Sequence, residues 1–350
     1  MRNPPRACRH AATLSSRAGR LSSWHPMAVL LAALGLAFQA QAQSPAAAPA
    51  RLVFGSNWYA QAEHGGFYQA VAEGTYKKHG LDVTIKMGGP QINVLQLLLA
   101  GQYDVAMGDD LQTYKAVEQG LPLVTVATTF QQSPTVLVSH PGPKTLADLK
   151  SRTLYIGQAS ETTYWPWLKT KYGFTDAQKK PYTFSVQPFL LDKNSAVQGY
   201  LASEPYTIET QGRFKPTVFL LGAYGYPPYA QTIVATKSGL DAKKDAIRRF
   251  VQASAEGWKS YLKNPAPGNA LILKDNPQMT QALLDYGVKA LRDAELVDGG
   301  DARARGLLTM TDARWKKTYD FMVQEKLLDP KVDYRSAFTT DIVDQVHVLP

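Results

Sequence analysis

The sequence predicts an α/β protein with two lobes, each built on a mostly parallel β-sheet flanked by helices, and a ligand cleft between the lobes. Short apolar segments alternate with longer helical segments from residue 52 onward, which is the pattern of a parallel sheet covered by helices. Proline-rich stretches near residues 141 and 227 interrupt this pattern twice. A chain of 350 residues also exceeds a typical single core, so we expect two units joined by two crossings.

Residues 1–42 have the features of a secretory signal peptide. Five arginines and no acidic residue precede the apolar run Met27–Phe38, which is followed by Ala40-Gln41-Ala42. This run is shorter than the roughly 20 residues that span a bilayer. We expect cleavage before Gln43 and a flexible leader at 43–50. No cysteine follows the run at a lipid-attachment position, so we expect a free periplasmic protein.

The composition argues against several classes of function. The single cysteine, Cys8, lies in the predicted signal peptide, so the rest of the chain has no disulfide and no thiol nucleophile. The remaining 33 basic and 29 acidic residues form no basic stripe, which argues against nucleic-acid binding. The remaining histidines show no metal-binding spacing, and neither a G-x-S-x-G turn nor an H-E-x-x-H helix occurs. We expect no metal, no cofactor and no enzyme activity.

The first part of the first lobe is predicted at residues 51–140. Its predicted strands are Leu52–Gly55, Leu81–Met87, Tyr103–Met107 and Leu123–Thr128, and its predicted helices are Gly65–His79, Gln91–Ala100 and Leu111–Gln119. Ligands of such sheets bind beyond the carboxyl ends of the strands. The residues directly after each strand are therefore the first candidates for a site.

The second lobe is predicted at residues 141–228, after the prolines at 141 and 143. Its predicted strands are Leu154–Gly157, Tyr182–Val186 and Thr217–Leu220, and its predicted helices are Thr162–Tyr172 and Asp192–Leu201. The stretch "GAYGYPPYAQTIVAT" is predicted to return the chain to the first lobe, residues 229–350. That part ends in the predicted helices Ala246–Lys263, Asn276–Leu291 and Asp312–Lys326.

Two motifs resemble those of the periplasmic solute-binding proteins of ABC importers. "GTYKKHGLDVTI" followed by "LLLAGQYDVAMG" is similar to the G-x-[FY]-x-x-x-G-L-D-V and L-x-x-G-x-x-D pair of the nitrate, sulfonate, taurine and thiamine-pyrimidine-precursor binders. The resemblance continues through "LADLKSRTLYIGQASETTYWPWLKTKYGF" and "AIRRFVQASAEGWKSYL". It implies a type II periplasmic-binding fold that closes around a small ligand, with the transmembrane subunits of an ABC permease as partner. We expect a monomer.

Within this superfamily, "NWYAQAEHGGFY" resembles the pyrimidine-binding branch most. The resemblance rests on Asn57, Trp58 and His64, whereas Ala60-Gln61 replaces the Pro-Asn often found there. It implies a thiamine pyrimidine precursor, a hydroxymethyl- or formylamino-pyrimidine, as ligand. The alternative is an alkanesulfonate, taurine, nitrate or another small organic anion; a periplasmic enzyme or a sensor domain is a further alternative.

Several polar and aromatic residues of the predicted first lobe are candidates for the cleft. Trp58 follows the first strand, where its ring can stack on a planar ligand or instead fill the core. His64 precedes a helix and suits either a ligand hydrogen bond or a cap. Asp109 and Asp110 follow the third strand; each can accept a hydrogen bond from a ligand amine or cap the next helix.

The second half of the chain adds three candidates. Ser160 lies in "GQASETT", between a strand and a helix, as a hydroxyl contact or an ordinary N-cap. Glu204 is a carboxylate acceptor for paired N–H donors or a surface ion pair, and Tyr229 is the predicted second aromatic wall. These candidate residues include no arginine or lysine, so the set favours a neutral or amine-bearing planar heterocycle.

The same superfamily includes a thiamine-pyrimidine synthase that uses a lysine for pyridoxal phosphate, a histidine and a cysteine-rich loop with iron. The resemblance places Asp110 at the position of that lysine and Tyr114 at that of the histidine. The synthase chemistry is therefore not expected here.

Overall fold

The computed structural model of the protein describes residues 48–350. The predicted signal peptide and most of the predicted leader lie outside the described residues. Residues 48–350 form ten strands: β1 (Ala50–Gly55), β2 (Leu81–Lys86), β3 (Val105–Gly108), β4 (Leu123–Phe130), β5 (Thr135–Ser139), β6 (Thr153–Ile156), β7 (Lys179–Pro181), β8 (Ser195–Tyr200), β9 (Thr217–Leu220) and β10 (Ala230–Thr236).

Twelve α-helices cover the sheets within the same residues. They are α1 (Gly65–Ala72), α2 (Thr75–Lys78), α3 (Val94–Leu99), α4 (Asp110–Glu118), α5 (Trp165–Tyr172), α6 (Gln187–Leu191), α7 (Glu204–Gly212), α8 (Lys237–Lys263), α9 (Ala266–Asp275), α10 (Gln281–Asp293), α11 (Ala302–Arg305) and α12 (Asp312–Gln324). Short 3₁₀ turns connect several of them, including Ala62–His64 and Gln158–Thr162.

The strands form two five-stranded sheets, one in each lobe. The first has the order β2-β1-β3-β10-β4 and the second the order β7-β6-β8-β5-β9. In the first, β1 is parallel to β2 and β3 while β10 is antiparallel to β3 and β4. In the second, β5 is the reversed strand, between β8 and β9. The predicted two-lobed α/β fold is confirmed, with one reversed strand in each sheet.

The reversed strands are those that follow the two crossings between the sheets. β4 ends in the first sheet at Phe130, and β5 begins in the second at Thr135. The chain returns to the first sheet at β10. The predicted boundary at residue 140 assigns Thr135–Ser139 to the first lobe, whereas these residues pair with β8 and β9 in the second sheet.

Several predicted elements differ from the structure. Asp192–Leu201 was expected to be helical, but its residues form β8, the central strand of the second sheet. The predicted strand Tyr182–Val186 is a loop, because Phe184 has a positive φ of 63° that strand geometry does not permit. The predicted helix Gly65–His79 breaks at Gly74, which has a φ of +68°.

The core of the first lobe joins its sheet to the long helix α8. Phe54 of β1 and Phe67 of α1 have ring centroids 4.6 Å apart, and Phe67 meets Trp258 edge to face at 6.0 Å. All three are fully buried, and burying such a side chain contributes about 1.5–3 kcal/mol. This packing fixes the loop between β1 and α1, which borders the cleft. No helix within residues 48–350 has the length and apolar character to cross a membrane.

Candidate functional site

A cavity of about 1060 Å³ lies between the two lobes. It is lined by residues that follow β1 and β3 in the first lobe and β6 and β8 in the second, where the fold rule for such sheets locates ligands. Of the eight residues predicted for the site, five line it: Asn57, Trp58, Asp109, Ser160 and Tyr229. His64, Asp110 and Glu204 have other roles.

The loop that carries Asn57 and Trp58 is held rigidly against the loop after β2. The Ser56 hydroxyl donates to the Trp58 carbonyl at 3.0 Å and accepts from the Gly88 amide at 3.1 Å. A Cβ atom on Gly88 would collide with the Ser56 carbonyl, so only glycine permits this approach. The indole of Trp58 is half-buried and forms one wall of the cavity.

His64 supports Asn57 from behind the cavity. Its Nε2 lies 3.3 Å from Asn57 Oδ1, and its side chain is buried. Burial lowers the pKa of His64 to about 4, so the ring is neutral at ordinary pH. Nδ1 has no partner among the described residues, which favours the tautomer with the proton on Nε2, because an orphaned N–H costs more than an orphaned acceptor. His64 therefore positions Asn57.

Asp109 is both the N-cap of α4 and a carboxylate of the cavity. Its Oδ1 accepts the Gln112 amide at 2.7 Å, which satisfies one orphaned donor of the helix. Burial raises the pKa of Asp109 to about 6. The charge of this carboxylate also raises the pKa of Tyr200 and, from the second crossing, that of Tyr226, after the larger effect of their own burial. Tyr200 and Tyr226 line the same cavity as Asp109.

Asp110 is a structural residue, which corrects the prediction that it contacts ligand. The side chain is fully buried, and its Oδ2 accepts from the Tyr229 amide and the Thr318 hydroxyl, each at 3.0 Å. Burial, followed by the charge of Asp109, raises the pKa of Asp110 to about 7. The carboxyl ties α4 to β10 and α12.

Tyr229 lines the cavity, but only 1 % of its surface is exposed. Its hydroxyl accepts the Thr311 amide at 3.2 Å, and the Arg314 guanidinium lies 4.5 Å from the ring centroid. The hydroxyl and the ring of Tyr229 are thus already engaged in contacts within the protein. Tyr229 is therefore a poor candidate for the predicted second aromatic wall.

In the second lobe, Ser160 lines the cavity with its hydroxyl already engaged. It donates to the Gly157 carbonyl at 2.6 Å. Beside it, Gln198 at the end of β8 accepts from the Gly157 amide at 2.5 Å and the Tyr164 hydroxyl at 2.8 Å. Sequence reasoning missed Gln198 because the segment was interpreted as a helix; its position directly before the end of a strand is the signal that a correct assignment would have given.

Glu204 does not line the interlobe cavity, which corrects its predicted place. One oxygen accepts the Tyr200 amide at 2.8 Å and the Ser203 hydroxyl, and the other lies 3.4 Å from the Tyr182 hydroxyl. The carboxylate thus ties the start of α7 to the end of β8, and its negative charge is favourable at a helix N-terminus. It borders a second cavity of about 380 Å³.

Phe184 is the aromatic residue that the sequence did not identify. Its ring lies 4.9 Å from that of Trp58, centroid to centroid, at an angle of 53°. The two residues belong to opposite lobes and line the same cavity. Phe184 is 53 % exposed and has a positive φ, a conformation that costs a non-glycine residue roughly 1–3 kcal/mol. The loop therefore holds an exposed ring against Trp58 at an energetic cost.

Two charged side chains line the cavity, Asp109 and Lys115. The ammonium of Lys115 pairs with Glu118 and donates to the Leu327 carbonyl at 3.0 Å. The candidate residues from the sequence include no lysine, whereas Lys115 lines the cavity; its ammonium is already paired with Glu118. Asp109 is therefore the charged side chain that is available to a ligand.

The described residues were predicted to contain neither a metal site nor the residues of the synthase. Within residues 48–350, no three His, Cys, Asp or Glu side chains cluster as a metal site requires. Tyr114, which the synthase resemblance aligned with a histidine, is fully buried and donates to the Trp315 carbonyl at 2.9 Å. Together with the buried Asp110, it belongs to the packing between α4 and α12.

Comparison with known proteins gives one family match. The sequence profile described as NMT1/THI5 like matches residues 61–267. The riboflavin-binding protein RibY of Chloroflexus aurantiacus is 25 % identical over 322 residues, which cover 86 % of this chain and 91 % of that protein. A Haemophilus influenzae protein named "Putative thiamine biosynthesis protein" is 26 % identical over 240 residues, 63 % of this chain and 76 % of that one.

Solved structures share the fold at lower identity. The periplasmic aliphatic sulphonate binding protein SsuA of Escherichia coli superposes with a TM-score of 0.61 at 17 % identity, over 82 % of this chain and 91 % of that one. At this identity, the similarity establishes the two-lobed fold and carries no information on the ligand.

Proposed function

Because this chain belongs to the NMT1/THI5-like family, we propose that it is the solute-binding component of an ABC importer and captures a small planar nitrogen heterocycle between its lobes. The observation that carries this proposal is the contact between Trp58 and Phe184, two aromatic rings from opposite lobes that line one cavity. A flat ligand that packs against this pair of rings contacts both lobes. Such a ligand favours the closed arrangement, because only differential contacts shift a conformational equilibrium.

The polar groups of the cavity determine which hydrogen-bonding groups a ligand must carry at the edge of its ring. Asp109 is an acceptor when ionised, and Asn57, Tyr200 and Tyr226, which line the same cavity, carry further hydrogen-bonding groups. A carboxylate without a free cation beside it favours a ligand with N–H donors and disfavours an anion. The alternative, a sulfonate, taurine or nitrate, would need to rely on backbone amides near Ser160.

A thiamine pyrimidine precursor is our first candidate ligand. The exocyclic amino group of an aminopyrimidine offers an N–H donor that Asp109 can accept, with a second N–H donor beside it when the ring nitrogen is protonated, and the Haemophilus relative is named for thiamine biosynthesis. A flavin is the second candidate. It is favoured by the volume of the cavity, about 1060 Å³, which lies at the upper end of the range for drug-sized ligands, and by the name of the Chloroflexus relative.

Calorimetric titration tests this proposal with four compounds: hydroxymethylpyrimidine, formylaminopyrimidine, riboflavin and taurine. We expect one of the heterocycles to bind and taurine to bind at least a hundredfold more weakly. Tighter binding of taurine would overturn the heterocycle proposal. A native mass spectrum of freshly purified protein provides an independent test, because it weighs any ligand retained from the cell.

The proposal extends to location and partner. The protein acts in the periplasm as a monomer without a lipid anchor, and it delivers the ligand to the transmembrane subunits of a permease. It binds without turnover. Mass spectrometry after long incubation is expected to recover the bound ligand intact; a converted product would instead indicate an enzyme. Co-purification with a sensor receptor in place of a permease would indicate the sensor alternative.

A further inference from the structure

Part of the interlobe cavity continues as a groove between α3 and α4 of the first lobe. We call it the α3–α4 groove; its apolar lining consists of Ile92, Leu95, Leu99, Ala116, Leu121 and Leu123. Leu95 connects the groove to the cleft, since its Cδ2 atom would lie 3.5 Å from a Cβ on Gly108, the residue that precedes Asp109. The groove and the carboxylate of Asp109 are thus parts of one continuous cavity.

Exposed apolar side chains are concentrated at this cavity. Eight large apolar residues within residues 48–350 are exposed, and four of them, Ile92, Leu99, Leu121 and Phe184, line it. Isolated exposed apolar residues are ordinary, but a contiguous group marks a binding surface. Because the group continues from the cleft, the structure favours the bound ligand itself as the occupant.

The polar neighbours of the groove provide no free charge. The side chains of Gln96, Gln112 and Gln119 border it, and the ammonium of Lys115 is held by Glu118 and the Leu327 carbonyl. The shorter helix, α3, has six residues, which at about 1.5 Å per residue gives the groove a length of about 9 Å. This length and lining suit a neutral, apolar group.

We propose that the α3–α4 groove binds an apolar extension of the same ligand, a second ring or a short alkyl chain attached to the heterocycle. This inference rests on the proposed function. The two parts of the cavity bind different parts of the ligand. Trp58, Phe184 and Asp109 bind the polar ring, and the leucines of the groove bind the group attached to it. A single pyrimidine ring would leave most of a cavity of about 1060 Å³ filled with water.

A homologous series of ligands tests the inference. The probes are 4-aminopyrimidines that carry a 5-alkyl chain of one to eight carbons and, as a second head group, alkanesulfonates of the same chain lengths. We expect the affinity for the aminopyrimidines to rise about three- to fourfold with each methylene group and to level off when the groove is full. Calorimetry measures the series.

Substitutions in the groove distinguish binding of the ligand from binding of another partner at the same place. Leu99→Gln and Leu121→Gln should flatten the dependence of affinity on chain length, so that the longest chains lose the most affinity. Val71→Gln is the matched control, because Val71 is 37 % exposed, against 36 % for Leu99 and Leu121, and lies outside the cavity; it should leave the series unchanged.

Each other outcome has a distinct meaning. Binding of the methyl compound with no gain from longer chains would overturn the inference and leave the proposed function standing. A chain-length dependence that survives both leucine substitutions would also overturn it. Failure of both head groups to bind would overturn the proposed function. If the two leucine variants lost binding to permease-containing membranes but kept the unmodified dependence of affinity on chain length, the groove would instead be a docking site for the permease.

Discussion

Trp58 is the residue whose contribution to binding is easiest to isolate. Its ring forms the first-lobe wall of the cavity, and the loop that carries it is held by Ser56 and Gly88 rather than by the ring itself. We expect Trp58→Ala to weaken binding of the heterocycle by about 1–3 kcal/mol, and Trp58→Phe to retain most of the affinity. Calorimetry measures both.

The control for this substitution is Leu191→Ala, since Leu191 is 84 % exposed and lies on the second lobe outside the cavity. It should bind as the unmodified protein does. Equal affinity of Trp58→Ala and the unmodified protein would remove Trp58 from the site.

Asp109 makes binding depend on pH. Burial raises its pKa to about 6 in the free protein, and a ligand with N–H donors binds the ionised form. The affinity should therefore be full above pH 6 and fall as the pH drops through about 6, approaching tenfold per pH unit below it. Asp109→Asn keeps the N-cap of α4, so it should fold, bind more weakly at pH 8 and lose this pH dependence.

The pH profile of binding between pH 4.5 and 8 checks this prediction. A ligand that does not titrate in this range is required. An unchanged profile in Asp109→Asn would assign the titration to another group.

Among single residues, position directly after a strand was sufficient to locate side chains at the cavity, and their contact with ligand stays a prediction. Trp58 and Asp109 were predicted by that rule, and both line the cavity. The rule could not show that the polar atoms of Asp110 and Glu204 are used by backbone amides. The contact of Asp110 depends on the residue that precedes β10, which is far from Asp110 in sequence. The contact of Glu204 depends on β8, which was predicted to be a helix.

At the scale of elements, the first lobe was predicted better than the second. The strands β1, β2, β3 and β4 each lie within a few residues of a predicted strand, because each is a short run rich in apolar residues, and β1, β2 and β3 are each followed by a helix. β8 was predicted to be a helix, since its Ser195, Ala196 and Gly199 have little strand preference of their own. Its burial between β5 and β6 determines its structure, as packing overrides propensity in central strands.

β5 was not predicted at all. It follows β4 after four residues, and the expected alternation of strand and helix left no place for a second strand. The same omission displaced the predicted boundary between the lobes. The crossing is made by two consecutive strands in different sheets, an arrangement that local pattern cannot distinguish from a single strand and its loop.

The close approach of two loops beneath Trp58 can be tested by substitution of Gly88. Gly88→Ala forces a Cβ against the Ser56 carbonyl, so we expect a loss of about 1–3 kcal/mol in the free energy of unfolding and about tenfold weaker ligand binding as the Trp58 loop shifts. Gly101→Ala is the control: Gly101 has a φ of +73° and nothing within 4 Å of the added Cβ.

Gly101→Ala should lose about 1 kcal/mol of stability from its left-handed backbone and bind ligand normally. Urea unfolding and calorimetry together measure the pair. Normal binding by Gly88→Ala would show that the position of Trp58 does not depend on this loop contact.

At the scale of the whole molecule, a buried acid lies where the lobes meet. Glu63, in the turn before α1, is fully buried, and neither carboxyl oxygen accepts a well-formed hydrogen bond from another residue described. Its charge acts on Tyr200 of the second lobe and on Tyr261 of α8. Burial, with a smaller effect from the charge of Glu204, raises the pKa of Glu63 to about 8.

The raised pKa couples folding to pH. Between pH 4.5 and 8, Glu63 is protonated in the folded protein and ionised in the unfolded chain, so the folded state binds one more proton. Its contribution to stability is therefore complete below about pH 4.5 and is lost as the pH rises through about 8, with a slope of up to about 1.4 kcal/mol per pH unit. Burial thus favours the neutral form of Glu63 in the folded protein.

Glu63→Gln removes this titration without changing the shape of the side chain. Other buried acids also titrate, so the informative quantity is the difference in the free energy of unfolding between the variant and the unmodified protein. We expect that difference to move in favour of the variant by a few kcal/mol from pH 5 to pH 8, measured by urea unfolding. Glu209→Gln, an exposed carboxyl on α7, should show no such trend. A difference that stays constant with pH would mean that Glu63 is ionised in the folded state and that the junction of the lobes is hydrated.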